Sequence, residues 1–192
     1  MDKIIEKIVQ ADIALLFSDE NKKRGVQKYA EILKSFSSTN VILDELFQKK
    51  FNGFYRVRRN SDWQKVYYSI MEEGKRKPLT FEMILKELFT SLGRVEASFS
   101  SKLLHTLNND MPIWDKWVLQ NLTLDPPKQY WSTEKKLNAC ALLYNKIVAW
   151  YKKTLSMEEI QQKIVQFDAF FPEYKWFSET KKLDFFLWQI RD

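Results

Sequence analysis

One cysteine, one histidine, four glycines and five prolines are all that this chain of 192 residues holds of the side chains that most often build special sites and tight turns. The lone Cys140 excludes an internal disulfide and any site made of several thiolates, an iron–sulfur cluster included. It also fits a reducing, cytoplasmic setting. With only His105 beside it, no transition-metal site of the usual nitrogen and sulfur ligands is expected, and no cofactor is implied. His105 falls on a helix already committed to a core stripe, which suits a local hydrogen-bonding role better than a catalytic triad. The scarcity of glycine and proline argues against an all-β chain, which needs a turn roughly every 8–12 residues. Neither G-x-G-x-x-G nor G-x-x-x-x-G-K occurs, so no glycine-rich phosphate loop is available. No apolar run approaches the roughly 18 residues of a membrane span. The start, Met1 to Lys7, is amphipathic and mixed in charge, unlike a signal or transit peptide.

What remains is apolar, aromatic and slightly basic. Hydrophobic residues make up 45%, enough to bury a sizeable core in one domain spanning 1–192. Lys and Arg number 31 against 25 Asp and Glu, a net charge of +6, with a pI of about 9.2. That balance is compatible with nucleic-acid binding and equally with a solubilising surface.

Apolar spacing predicts helices along nearly the whole chain. Residues 2–17 read as one helix. Ser18-Asp19-Glu20 starts a second, and Val41 to Phe47 forms a short third. Residues 51–60 interleave aromatic and basic side chains and do not fit a helix face. They read either as a phosphate-contacting or stacking loop, or as a connector whose Phe and Tyr cap the core. Ser61-Asp62 starts the next helix, which ends in the solvated basic loop from Gly74 to Pro78. Thr80 caps a helix stopping at Leu92-Gly93, where glycine suits the left-handed C-cap. A helix from Glu96 to Leu107 follows. Pro112 suits the first turn of another, reaching about Leu122, with Asp115 in that turn. Ser132-Thr133-Glu134 and Ser156-Met157-Glu158-Glu159 look like further capping sequences. A last helix runs from Glu179 to Ile190. The expected fold is all-α, with roughly nine or ten helices in a compact, two-lobed bundle.

The functional signal lies in residues 80–122. Pro112-Ile113-Trp114-Asp115-Lys116-Trp117-Val118 matches P-x-x-D-x-x-V at every defined position, and Gly93 lies 22 residues before Asp115. Both features resemble the helix-hairpin-helix DNA glycosylases, the superfamily of endonuclease III and 8-oxoguanine DNA glycosylase. There a hairpin L-P-G-V-G-x-K precedes the aspartate at that spacing. The run Ala97-Ser98-Phe99-Ser100-Ser101-Lys102-Leu103-Leu104 is similar to that of bacterial proteins with an 8-oxoguanine glycosylase-like fold. Leu92 and Val95 stand where the family has its proline and second glycine. Ala97 or Glu96 stands where it has the Schiff-base lysine, and Lys102, more than a turn further on, is not assigned that role. The resemblance therefore implies a monofunctional N-glycosylase acting on double-stranded DNA, with Asp115 activating water or stabilising an oxocarbenium-like state. Gly93, Arg94 and Lys102 would hold phosphate, and Trp114 and Trp117 would flank a flipped base. The alternatives are a helical nucleic-acid- or protein-interaction module that keeps the fold without catalysis, and an unrelated helical bundle with a protein partner.

Overall fold

Side-chain caps divide the chain into helices. The computed structural model describes residues 2–190. The expected single helix over 2–17 is two: α1 (Lys3–Gln10) and α2 (Ile13–Leu16). Ala11 is extended, and the Asp12 carboxylate accepts from Leu15 N, which starts a new helix. Asp19 caps α3 (Glu20–Phe36). Residues 41–43 form only a turn, and α4 (Glu45–Tyr55) starts at the Asp44 cap. Much of the 51–60 segment, expected to be irregular, is therefore helix, with Phe51 and Tyr55 buried on its inner face. The loop proper is 56–60. Asn60, rather than Ser61, caps α5 (Ser61–Gly74).

Thr80 caps α6 (Phe81–Leu92), and Gly93 closes it at φ 65° with its N–H on Phe89 O, as the sequence leads one to expect. α7 (Ala97–Leu107) follows after a short turn and packs back on α6. α8 (Lys116–Asn121) is a short helix, and α9 (Thr133–Leu155) is the longest, capped by Ser132. Ser156 does not cap the next helix. It ends α9, and α10 (Glu158–Phe170) starts behind Met157 without a side-chain cap. A 3-10 turn at Pro172–Tyr174 leads to α11 (Glu179–Gln189). The described residues thus form eleven α-helices and no strand. No helix among them is long and apolar enough to cross a membrane.

α11 is the axis of the fold. Every side chain from Thr180 to Leu187 is buried, so the helix is covered on all sides, by α8, α9 and α10 among others. α1 and α2 lie against α10, which brings the start of the described chain onto its C-terminal part. Lys163 Nζ ties them by donating to Ala11 O at 2.7 Å. On the other side α3 pairs with α4, and α5 packs on α6 and α7. One aromatic-rich core runs through both groups.

Candidate active site and nucleic-acid interface

The segment from Asn108 to Asp115 is irregular backbone that runs from an exposed turn at 108–110 into the core at 112–114, and buried irregular backbone is costly unless its polar groups find partners. Side chains from three helices and one helix cap supply them. Ser178 Oγ donates to Asn109 O at 2.5 Å and Thr180 Oγ1 to Asp110 O at 3.1 Å. His105 Nδ1 lies 2.6 Å from Met111 O, and Tyr144 OH donates to Pro112 O at 2.8 Å. Trp114 N donates to Ser101 Oγ at 2.9 Å. A carbonyl only accepts, so His105 Nδ1 carries the proton, and Nε2 accepts from Tyr29 OH at 2.7 Å. Burial, and then the nearby Lys181 ammonium, press the imidazole down to about 3, so it is neutral. His105 is the local hydrogen-bonding residue that its place on a core stripe suggests.

Asp115 stands at the end of this fixed strap. Pro112 is not in a first helical turn. It sits in the extended strap, and α8 begins only at Lys116. Asp115 is therefore the N-cap itself, one position ahead of the expected turn. Its Oδ1 accepts from Trp117 N at 2.8 Å and from Val118 N at 2.9 Å. Oδ2 accepts from no described residue, and it is not a buried orphan either. The half-buried carboxyl is raised above its ordinary value: loss of water outweighs the two amides and the Lys102 charge.

Lys102 lies in the field of that carboxylate. It is half-buried on α7, with Nζ 4.9 Å from the Phe99 ring centre and 5.9 Å from that of Tyr55. Its one protein hydrogen bond is long, 3.5 Å to Tyr55 O. Burial lowers its pKa, and Asp115 and Asp184 offset part of that effect. The sequence reading gave Lys102 a phosphate and no part beside Asp115. The twelve residues between them hid this relationship, because the strap doubles back along α7 through the Trp114–Ser101 bond.

The other expected residues divide. Gly93 and Arg94 lie exposed at the α6–α7 turn, beside a groove of about 570 Å³ also lined by Ser98, Trp114 and Lys136. Asp115 and Lys102 are not among the residues lining it. Trp114 is 5% exposed and parallel to Phe81, with centres 6.3 Å apart. It is a core side chain that leaves little surface for a base to stack on. Trp117 is half-buried, with Lys116 Nζ 5.0 Å from its ring. The sequence reading missed Glu96. This buried acid sits at the start of α7, where Arg59 meets it at 3.0 Å and Arg94 at 3.6 Å.

Among the described residues no group of histidine, cysteine, aspartate and glutamate could hold a metal ion. The arrangement offers instead a half-buried carboxylate on a hydrogen-bonded strap, a half-buried lysine within its electrostatic reach, and a cationic rim. No protein-family model, curated protein or solved structure matches the chain.

Proposed function

We propose that this chain binds DNA and acts as a base-excision N-glycosylase, with Asp115 as its catalytic carboxylate. The observation that carries the reading is the fixed strap of residues 108–115. Side-chain bonds along it hold Asp115 in one place, and reaction centres need that kind of preorganisation. A carboxylate short of water interacts strongly with positive charge developing at the sugar C1′ as the glycosidic bond breaks. Water then adds at C1′, the base leaves with its bonding electron pair, and a proton from that water passes to Asp115 or to the base. The resemblance of Pro112 to Val118 and the placing of Gly93 point to the same chemistry.

The test uses duplex oligonucleotides carrying 8-oxoguanine, uracil or an alkylated base. Alkali-labile nicking is expected for one of them with the native chain and not with Asp115→Asn. Nicking that survives the substitution refutes the aspartate mechanism.

A second chemistry would use Lys102, which is half-buried over the Phe99 ring with one long hydrogen bond to Tyr55 O, and whose basicity burial lowers. Once it gives up its proton, the amine can attack C1′, expel the base and form a Schiff base with the opened sugar. Borohydride would then trap the chain on abasic DNA, and Lys102→Gln would abolish the adduct. Absence of any adduct with the native chain excludes this route and leaves the water route standing.

A further inference from the structure

The loop 56–60 is the part of the aromatic and basic stretch that the site above does not use. It runs along α7 and is tied down at two points. At one end Arg59 binds the buried Glu96 through both oxygens, at 3.0 and 3.1 Å, and its guanidinium lies 5.3 Å from the Phe99 ring centre. At the other end Tyr55 O receives Lys102 Nζ, and Lys102 lies on the same Phe99 ring. Phe99 is thus flanked by two cations, and the loop spans the distance from the α6–α7 turn to Lys102.

Two of its arginines have a different character. Arg56 and Arg58 are exposed and make no ion pair with a described residue. Arg59 and Arg94, in contrast, both engage Glu96. Arg56 lies close enough to Lys102 for its charge to oppose the lysine's. It also holds φ 54°, ψ 45°, the left-handed C-cap of α4. That conformation costs a side-chain-bearing residue about 1 kcal/mol, and glycine is the usual occupant. An unpaired arginine in that conformation, beside a lysine it repels, has no stabilising role in the free protein that these contacts supply.

We infer that Arg56 and Arg58 are a phosphate clamp, binding two backbone phosphodiesters of the DNA strand whose nucleotide reaches Asp115. Arg59 fixes the loop to the α6–α7 turn, so the clamp keeps a set distance from the carboxylate. The guanidinium fork suits a phosphate better than a lysine does. This inference rests on the DNA-binding reading above and extends it to the substrate backbone.

The experiment measures binding of a fluorescein-labelled duplex oligonucleotide by anisotropy, over a series of salt concentrations. It compares the native chain with Arg56→Asn/Arg58→Gln. Asparagine tolerates the left-handed conformation, so the loop keeps its shape, and circular dichroism and the melting temperature check the fold. Each lost phosphate contact lowers the slope of log K against log salt by about 0.9, so the double variant is expected to lose about 1.8. The same slope corresponds to roughly eightfold weaker binding per arginine near 0.1 M salt. Arg56→Lys/Arg58→Lys should restore most of the slope. A charge-matched control on α3, Arg24→Gln/Lys28→Gln, should leave it unchanged. An unaltered slope in the arginine variant, or an equal loss in the control, overturns the clamp while DNA binding stands. A native chain that fails to bind the duplex at low salt overturns the DNA-binding reading and the clamp together.

Discussion

Lys181 Nζ and Asp184 Oδ2 meet at 2.6 Å on one turn of α11, and neither side chain has any exposed surface. Tyr151 OH donates to the other Asp184 oxygen at 3.2 Å. The ammonium lies 4.5 Å from the ring centres of Tyr29 and Phe185, and 4.6 Å from that of Trp188. Breaking such a pair leaves one charge buried alone, at a cost of about 3–5 kcal/mol, whereas replacing both partners with apolar residues is often neutral. Asp184→Asn should therefore lose about that much stability in urea unfolding, and Lys181→Met/Asp184→Leu should recover most of it. A single variant within about 1 kcal/mol of the native chain would mean that water or relaxation already solvates the pair.

His105 is the one histidine, so its imidazole protons give an unambiguous NMR titration. The folded value of about 3 lies below the ordinary 6.5 of an unfolded chain. Between those two values the unfolded state binds the proton and the native state does not. Stability from this group is thus complete above pH 6.5 and falls as the pH drops below it, by about 2 kcal/mol at pH 5. Asp184, raised to about 6, acts in the opposite sense. Its native form takes the proton first, so it adds stability as the pH falls from about 6 towards 3.8. The prediction for His105 is a flat imidazole shift from pH 8 to pH 5. A midpoint near 6.5 in the folded protein would show that the Tyr29–His105–Met111 bonds are not maintained in solution.

Capping chemistry made the helices legible in the sequence: Asp19, Thr80, Ser132 and Gly93 all act where their residue types suggest. The failures have local causes. Asp12 interrupts a continuous apolar stripe that periodicity alone reads as one helix. Phe51 and Tyr55 point inward from a helix whose arginine-rich end hides it. At the candidate site, a motif singles out Asp115, and the structure shows that residue as the cap of α8. Lys102 has no such mark, because the strap bonds that fold the chain back along α7 join residues with no local signature. Charges buried in α11 were invisible for a related reason. Thr180 to Leu187 look amphipathic, and only the surrounding rings make room for a lysine inside.

The two left-handed C-caps give opposite expectations. Gly93 has open space around a would-be Cβ, so Gly93→Ala suffers only the backbone penalty at φ 65°, about 1 kcal/mol. Arg56→Gly removes that penalty and should hold stability constant or raise it by up to about 1 kcal/mol. If Arg56 clamps phosphate, the same substitution weakens duplex binding. A gain in melting temperature coupled to a loss of DNA affinity marks a residue kept for binding, whereas loss of both would make Arg56 a structural residue.

Asp115 can be separated into its two roles by comparing Asn with Ala. Asparagine keeps an oxygen for Trp117 N and Val118 N, so the α8 cap survives. It also removes a charge that burial penalises, so Asp115→Asn should be at least as stable as the native chain at pH 7. The sign follows from the raised folded pKa: the ionised form is the costly one, and its cost persists at every pH above that value. Asp115→Ala removes the cap and should lose about 1 kcal/mol. If Asp115 is the proposed catalytic carboxylate, excision should fall by about 100-fold or more in both, since both lack its charge. Activity that tracks the melting temperature, retained in Asn and reduced only in Ala, would assign Asp115 to the helix start alone.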